Sequence, residues 1–566
     1  MKPAAARASR GVLVLFALTG AGAPATFLPA ADFSGMRPPI ALELARAAYP
    51  YHWRLGPSGT QEALRGAYAH SDTGFLWYPG GAPSEAARAL RERLQRADEY
   101  GLRPSDYLTS PLELNAGGSM TGAAAEQRVA HHDVSLSAAA LRFLADVHYG
   151  RIDPHAAGFE LPPDPAAIDL GSVLDELAAG GKLDARLASL EPQFLHYRLL
   201  KQMLARYRHL ASQSPVSLGL LPVDLRHAIQ PGEPFAGAPA LRQLLRTLGD
   251  LGPARDVASE TAPFLDRELA AALARFQVRH GLTADGALGK ATLAALVTPL
   301  AQRVRQIELT LERWRWLPPF ASPPIIVNIP QFRLFAFRST ADRKADILQQ
   351  DVIVGRTYPR TQTPVFAATL REVVFRPYWD VPYSITRGEM LPHIRTDAGF
   401  LAAQHLEIVA AVDDARAVPL PPTPANLEAL GHGRLRLRQR PGADNALGLI
   451  KFVLPNRYDV YLHSTPAHGL FAESRRAFSH GCIRVADPVA LAAQLLRDTP
   501  GDWTRESIEA AMNDGQTRHV ALATPVPVLI VYGTALATEA GEVLFFDDLY
   551  GQDRRLEQLL GLAPVR

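Results

Sequence analysis

The hydrophobic period of the chain changes just after Trp314. Up to that residue, Leu300, Val304, Ile307, Leu311 and Trp314 recur at spacings of three and four, as on a helix with one buried face. Pro318-Pro319 and Pro323-Pro324 then break the helix. The stretch I-I-V-N-I-P-Q-F-R-L-F-A-F-R, Ile325 to Arg338, reads as two short strands. Further strands are expected at Asp351 to Gly355, Arg371 to Phe375 and Tyr458 to Leu462, the last ending at His463. The tail adds strand candidates at Val528 to Tyr532 and Val543 to Phe546. From about Ser384 to Leu430 the strand rhythm breaks, with a Pro-rich loop at Pro419 to Pro424, which reads as a partly helical insertion able to cover a groove. At 566 residues the chain exceeds one hydrophobic core, and three or four domains of roughly 100–200 residues are expected.

Before the change of period the chain reads as helical from about Ala41 to Tyr207. Ala86 to Tyr100, Ser135 to Tyr149 and Leu190 to Tyr207 carry helical apolar spacing, and Pro/Gly clusters at Gly158 to Pro165 and Pro231 to Pro239 punctuate the region. It carries no chemical motif and is expected to be scaffold. Between Ala240 and Leu300 lies a compact helix-turn-helix pattern. One helix, Leu269 to Val278, ends at His280-Gly281, where Gly suits the left-handed position after a helix. Asp285-Gly286 makes a turn, and Gly289 precedes the next helix.

Charge is nearly balanced, 59 basic against 57 acidic residues, and no basic run is interleaved with aromatics, so no nucleic-acid partner is expected. The N-terminus reads as an export signal. Lys2, Arg7 and Arg10 precede an apolar run, Val12 to Ala25, that ends in small residues fitting an A-x-A cleavage pattern. An uncleaved membrane anchor is the alternative if Phe27 and Leu28 extend the run. Export sharpens one oddity: the chain has a single cysteine, which has no internal disulfide partner.

That cysteine sits in Y-L-H-S-T-P-A-H-G-L-F-A-E-S-R-R-A-F-S-H-G-C-I-R-V, Tyr461 to Val485. A thiol attacks well only as thiolate, so it needs an imidazole or a positive field nearby. His463, His468 and His480 all lie within nineteen residues of Cys482. His463 ends a predicted strand, which would aim it. The amides of Gly481 and Cys482 are candidate oxyanion donors. The pattern suggests cysteine acyl transfer. Two rivals are a zinc site, whose spacings of five (463 to 468) and two (480 to 482) do not follow common ligand patterns, and an inert buried cysteine beside core histidines.

Two resemblances extend this reading. Phe276-Gln277, Gly281-Leu282, Asp285-Gly286, Gly289 and Thr292 resemble a peptidoglycan-binding domain, a small three-helix module of cell-wall enzymes. His463, fifteen residues, then Ser479-His480-Gly481-Cys482 resembles the signature of L,D-transpeptidases with a YkuD-type catalytic domain. Val354-Gly355 with Thr363-Pro364, Pro377 to Pro382, and Asn445 to Gly448 with Lys451-Phe452 are similar to that family as well. The order of parts resembles its large, multi-domain Gram-negative branch.

The resemblance implies an α+β multi-domain chain. Its parts would be a signal or anchor (1–35), a helical scaffold (36–235), a three-helix peptidoglycan-binding module (236–300) and a connecting helix (301–321). A β-rich, β-sandwich-like catalytic domain (322–500, insertion about 384–430) and a C-terminal extension (501–566) would follow. It implies Cys482 as nucleophile and His463 as general base, oriented by the backbone carbonyl of Ser464. His480 would shape the pocket and is the alternative base. Arg484 would bind a substrate carboxylate or brace the loop. Tyr378 and Trp379 would line the groove, with a core role for Trp379 equally open. Two departures are mild: Ser464 stands where the large branch often has Asp, and Arg376 where Asn is common. The implied substrates are peptidoglycan tetrapeptide stems in the periplasm, and carbapenem-type inhibitors would acylate Cys482. No metal or organic cofactor is required. Cross-linking, L,D-carboxypeptidase or cross-link hydrolase activity, and an inactive peptidoglycan-binding scaffold remain the competing functions.

Overall fold

In the computed structural model, residues 36–563 and 565 are described, apart from 47–48, 70, 72–73, 108–121, 163–167, 214–224, 254–259, 320, 340–346, 359–360, 398 and 412–416. The export signal expected over residues 1–35 lies outside the described residues. Among those described, no helix is long and apolar enough to cross a membrane.

The N-terminal helices pack around the 27-residue helix Ala123–Tyr149, whose Ala- and Leu-rich sequence buries side chains on most of its circumference. Asp133, fully buried in it, accepts the N–H groups of Leu76, Trp77 and Tyr78 and the Tyr68 hydroxyl. That shell satisfies a carboxylate that burial alone would not tolerate. The helix ends at Gly150, where a Cβ would meet Trp316 Nε1 at 2.5 Å and Glu312 Oε1 at 2.9 Å. Only glycine permits this approach, which lets buried Glu312, on the connecting helix Leu300–Trp314, accept the backbone N–H groups of Arg151 and Ile152. The helix Leu195–Gln213 leaves the N-terminal core and packs on that connecting helix.

The module after it has its own core from helices Ala238–Leu248, Arg267–Arg279 and Lys290–Leu296. Gly281 follows the second helix at φ 62°, as its sequence position suggests. Gln277, 1% exposed, bonds the Asp285 carboxylate, the Ala287 carbonyl, the Thr292 hydroxyl and the Gly286 N–H. The polar residues that mark this module in sequence are thus the ones that tie its turn to its helices.

The strands are β1 (Ile325–Asn328), β2 (Arg333–Ala336), β3 (Leu348–Gly355), β4 (Phe366–Phe375), β5 (Trp379–Asp380), β6 (Leu406–Val409) and β7 (Arg436–Gln439). β8 (Ile450–Val453), β9 (Leu462–His463), β10 (Ala477–Ser479), β11 (Ile483–Val485), β12 (Arg518–Val531), β13 (Ala535–Ala537) and β14 (Val543–Phe545) complete them. The main sheet runs β3-β11-β9-β8-β4-β12-β1-β2, and β2 pairs back onto β3, with β10 added beside β3. The expected sandwich-like sheet is therefore corrected to a closed mixed barrel. Closure leaves the ring without free edges, and one core fills its interior instead of two facing layers. That core includes Val327, Leu334, Val352, Phe375, Phe452, Leu462, Ile483 and Ile530.

β12 brings the C-terminal part of the chain into the ring, between β4 and β1. The hairpin β13–β14 packs against the connecting helix and Leu195–Gln213. The described residues of 379–439 form a cap with its own small core, Val381, Ile394, Leu406, Ile408, Leu430 and Leu437 among others. It is only partly helical: β5, β7 and β6 make a three-stranded sheet. β9 is shorter than the strand expected over Tyr458 to Leu462. The Asn456 side chain accepts the N–H groups of Tyr458 and Val460, and Asp459 takes φ 54°, so the chain turns there before it extends.

Candidate active site

β9 and β11 run side by side and parallel, with Leu462 opposite Ile483 and His463 opposite Arg484. On the other flank of β9, Lys451 of β8 faces His463. Side chains alternate along a strand, and Phe452, Leu462 and Ile483 point into the barrel core. Lys451, His463 and Arg484 therefore share the outer face. Two residues before His463 and Arg484, just ahead of β9 and β11, the same alternation puts Tyr461 and Cys482 on that face, opposite one another. The Ile483 N–H donates to the Tyr461 carbonyl at 3.1 Å and fixes this register. Cys482 and His463 are thus diagonal neighbours across adjacent strands.

His463 is 4% exposed. Its Nδ1 lies 2.5 Å from the Ser464 carbonyl oxygen. A carbonyl only accepts, so Nδ1 carries the proton and Nε2 keeps the lone pair. The Leu447 carbonyl is a second backbone acceptor for the ring. Burial first, and the Arg484 cation second, hold the imidazole pKa down at about 3. The turn that delivers Leu447 needs Gly448: its φ is 63°, and a Cβ there would meet Ser464 Oγ at 2.7 Å. Asn445 fixes the same turn, accepting the Leu447 N–H and donating to the Arg440 carbonyl.

Burial pushes the Cys482 thiol up, while hydrogen bonds from the Tyr461 backbone and hydroxyl and the Lys451 charge pull it down. The thiol also donates weakly to the Asp459 carbonyl at 3.6 Å. Tyr461 bonds in turn to the Trp379 side chain of the cap. Its ring meets His463 edge-on at 5.7 Å and carries the Lys451 ammonium at 4.5 Å. A neutral imidazole and a protonated thiol therefore share one face at rest.

The loop before the cysteine is tightly tied. Gly481 takes φ 124°, which favours glycine. Its N–H donates to Ser479 Oγ at 3.1 Å, and Ser479 Oγ donates to the Cys482 carbonyl at 2.5 Å. The two amides expected to act together as oxyanion donors are thus split. Gly481 spends its N–H inside the loop, whereas the Cys482 N–H meets no protein acceptor among the described residues.

The structure gathers Cys482, His463, Ser464 and Arg484, and separates the other histidines. His480 turns to the cap, its Nε2 2.8 Å from Glu389 Oε1. His468 is exposed on the short helix His468–Ala472. Trp379 reaches the nucleophile through Tyr461, whereas Tyr378 lies under the Arg438 guanidinium at 4.4 Å. The Arg484 Nε is buried without a hydrogen-bond partner among the described residues. Sequence reasoning missed Tyr461, Lys451 and Glu389. Tyr461 had a signal, being two residues before His463 on the same strand face. Glu389 had none, since only the folded cap brings it near.

Residues 323–526 match the family described as "L,D-transpeptidase catalytic domain". The chain carries a YkuD-type L,D-transpeptidase domain. Residues 238–296 match the "Putative peptidoglycan binding domain" family and residues 62–204 a "Scaffold domain" family. A Haemophilus influenzae protein described as "Putative L,D-transpeptidase" is 32% identical over 253 residues, covering 44% of this chain and 49% of that protein. The chain thus spans about half the length of that curated relative. A crystal structure of an L,D-transpeptidase (residues 123–326) from Xylanimonas cellulosilytica aligns over 55% of this chain and 100% of its own, at 15% identity and a TM-score of 0.16. The transpeptidase-type match includes the barrel strands from β1 to β11, the cap and both Cys482 and His463.

Proposed function

We propose that this protein is a periplasmic peptidoglycan L,D-transpeptidase that joins peptide stems through a thioester on Cys482. The observation that carries this reading is the strand register that sets Cys482 diagonally across from a neutral His463 whose Nδ1–H is held by the Ser464 carbonyl, so that Nε2 carries the lone pair of a base. His463 Nε2 takes the thiol proton as Sγ attacks the carbonyl between an L-centre and a D-centre of a tetrapeptide stem. The Cys482 N–H faces the developing oxyanion. The C–N bond breaks, His463 returns the proton to the departing D-residue's amine, and the acyl group stays on Sγ. An amine of a neighbouring stem then attacks the thioester, passes its proton to His463, and the thiol is regenerated.

At rest, proton transfer from this thiol to this imidazole is uphill, because both groups are held in their neutral forms. Arg484 supplies the means to change that. Its unspent Nε and the cation's influence on His463 suit a site for a stem carboxylate. Burial is the larger cause of the depressed His463 pKa, and a bound carboxylate would offset only the smaller Arg484 share, making the ring a better base when substrate is present. The module at 238–296 supports delivery of the enzyme to peptidoglycan.

Water as acceptor would make the protein an L,D-carboxypeptidase. Incubation with tetrapeptide-stem muropeptides, read by mass spectrometry, separates the outcomes. A cross-linked dimer supports transfer, and released D-residue alone means hydrolysis. An unchanged substrate together with retained sacculus binding would leave only a scaffold. Cys482→Ala should abolish turnover.

A further inference from the structure

We propose that Thr363 is a positioning residue that aims the Cys482 N–H at the reacting carbonyl, and that Tyr550, from the far end of the chain, holds Thr363 in place. The proposal rests on the reading of Cys482 as an acyl-transfer nucleophile. Thr363 is 2% exposed and lies 119 positions before the cysteine. Its hydroxyl donates to the Gly481 carbonyl at 2.8 Å and accepts the Gly355 N–H at 2.9 Å. Both roles of the hydroxyl are thereby used.

The Gly481 carbonyl and the Cys482 N–H belong to one peptide unit. No peptide bond among the described residues is cis, so this carbonyl and N–H point in opposite directions across a rigid plane. Glycine at 481 leaves the plane free to rotate about a soft backbone, and its φ of 124° lies where few other residues rest. Fixing the carbonyl end fixes the amide end. The Thr363 hydroxyl thus decides where the Cys482 N–H, which meets no protein acceptor among the described residues, is aimed. Ser479 holds the peptides on either side, through the Gly481 N–H and the Cys482 carbonyl, so Thr363 completes a three-point hold on the loop.

Thr363 is itself pinned. Its N–H donates to the Tyr550 hydroxyl at 3.3 Å, and that hydroxyl donates to the Gly355 carbonyl at 2.6 Å. Tyr550 is anchored by its own N–H on the Tyr532 hydroxyl at 2.8 Å, just after β12. Gly355 has no room for a side chain: a Cβ would sit 2.0 Å from the Thr361 carbonyl oxygen and 2.6 Å from the Thr363 N. This explains physically why Gly355 and Thr363-Pro364 stand together in the sequence pattern. Their task is to bring a hydroxyl up behind the nucleophile.

Two reagents test this without relying on the peptidoglycan substrate. p-Nitrophenyl acetate acylates Sγ through a tetrahedral oxyanion, expelling p-nitrophenolate. Iodoacetamide alkylates Sγ by displacing iodide and forms no oxyanion. Thr363→Val keeps the shape and removes the hydroxyl, and is expected to slow acylation by roughly ten- to a hundredfold, below the loss typical of deleting a donor outright. Its alkylation rate should stay within about twofold, and Thr363→Ser should restore acylation. Tyr550→Phe should slow acylation in the same direction by less, and it provides a readout if Thr363→Val does not fold. Wild-type acylation in folded Thr363→Val, failure of Thr363→Ser to rescue, or parallel slowing of both reactions would overturn the proposal. If Thr363→Val does not fold, unchanged acylation in Tyr550→Phe overturns it. Muropeptide turnover by the wild type is measured alongside. Its absence counts against the proposed function, while the two-reagent comparison still decides the role of Thr363.

Discussion

The His463 ring is oriented by a main-chain group, the Ser464 carbonyl 2.5 Å from Nδ1, and no carboxylate pairs with it among the described residues. A base held this way depends on the path of the backbone at residue 464 and not on the side chain there. Ser464→Ala should therefore retain most of the acyl-transfer rate, within about threefold, because no hydrogen bond to the ring is lost. His463→Ala should lose on the order of 10²–10⁴-fold, the usual worth of a positioned general base. Steady-state turnover of both variants checks the contrast, and a collapse in Ser464→Ala to the level of His463→Ala would contradict it.

The same ring sets a pH dependence. With its pKa at about 3, the imidazole is neutral well below the ordinary histidine range. Acylation by an uncharged ester should show no acid limb near pH 6.5. Burial and the Arg484 cation are the two leading causes of the depression, so Arg484→Gln should move the acid limb upward, towards the ordinary value. A pH–rate profile of p-nitrophenyl acetate acylation measures both. A wild-type limb between pH 6 and 7, or an unmoved limb in Arg484→Gln, would show that His463 is not held as described.

Stability carries the matching sign. The unfolded chain binds a proton at residue 463 near pH 6.5, and the folded chain does so only near pH 3. Between those values the unfolded state holds more protons, so this residue's contribution is present above about pH 6.5 and is lost as pH falls towards 3. His463→Asn should lose less stability on acidification over that window than the wild type. Chemical denaturation at pH 7 and pH 4.5 gives the two differences, and equal acid sensitivity would be the contrary result.

Much of the site was legible before folding because its chemistry sits in one stretch. Cys482 and His463 are close in sequence, and strand alternation alone predicts that Tyr461 and His463 share a face, whereas Arg484 joins them only through the pairing of β11 with β9. What was not legible came from far away. Glu389 meets the catalytic loop only because the cap folds over it, Thr363 only because β3 and β4 bring their connection behind it, and Tyr550 reaches Thr363 only because the chain's end returns to the barrel. The barrel itself shows the same limit. Individual strands such as β1, β2 and β3 follow from local apolar patterns, yet ring closure depends on β2 pairing with both β1 and β3, which no local pattern encodes. The late start of β9, at Leu462 and not at Tyr458, was missed because it depends on one side chain, Asn456, capturing two backbone N–H groups.

Gln277 allows the peptidoglycan-binding-type module to be tested apart from catalysis. Its amide bridges a helix, a turn and the following helix through exposed Asp285 and buried Gly286, Ala287 and Thr292. Replacing it with alanine leaves the Ala287 carbonyl and the Gly286 N–H without that partner, at a cost of about 1–3 kcal/mol for each buried group left unsatisfied. Gln277→Ala should therefore loosen residues 238–296, and hydrogen exchange should quicken at the amides of Gly286 and Leu288 before it does so in the barrel. The module is also tied to the hairpin β13–β14, where buried Arg279 joins Asp250 and donates to the Val543 carbonyl at 2.8 Å. Loosening should therefore spread to β14 and stop short of β9 and β11, whose core is separate. Cys482 alkylation in Gln277→Ala should then match the wild type while sacculus binding weakens. Loss of alkylation in step with binding would mean that the module and the catalytic face form one cooperative unit.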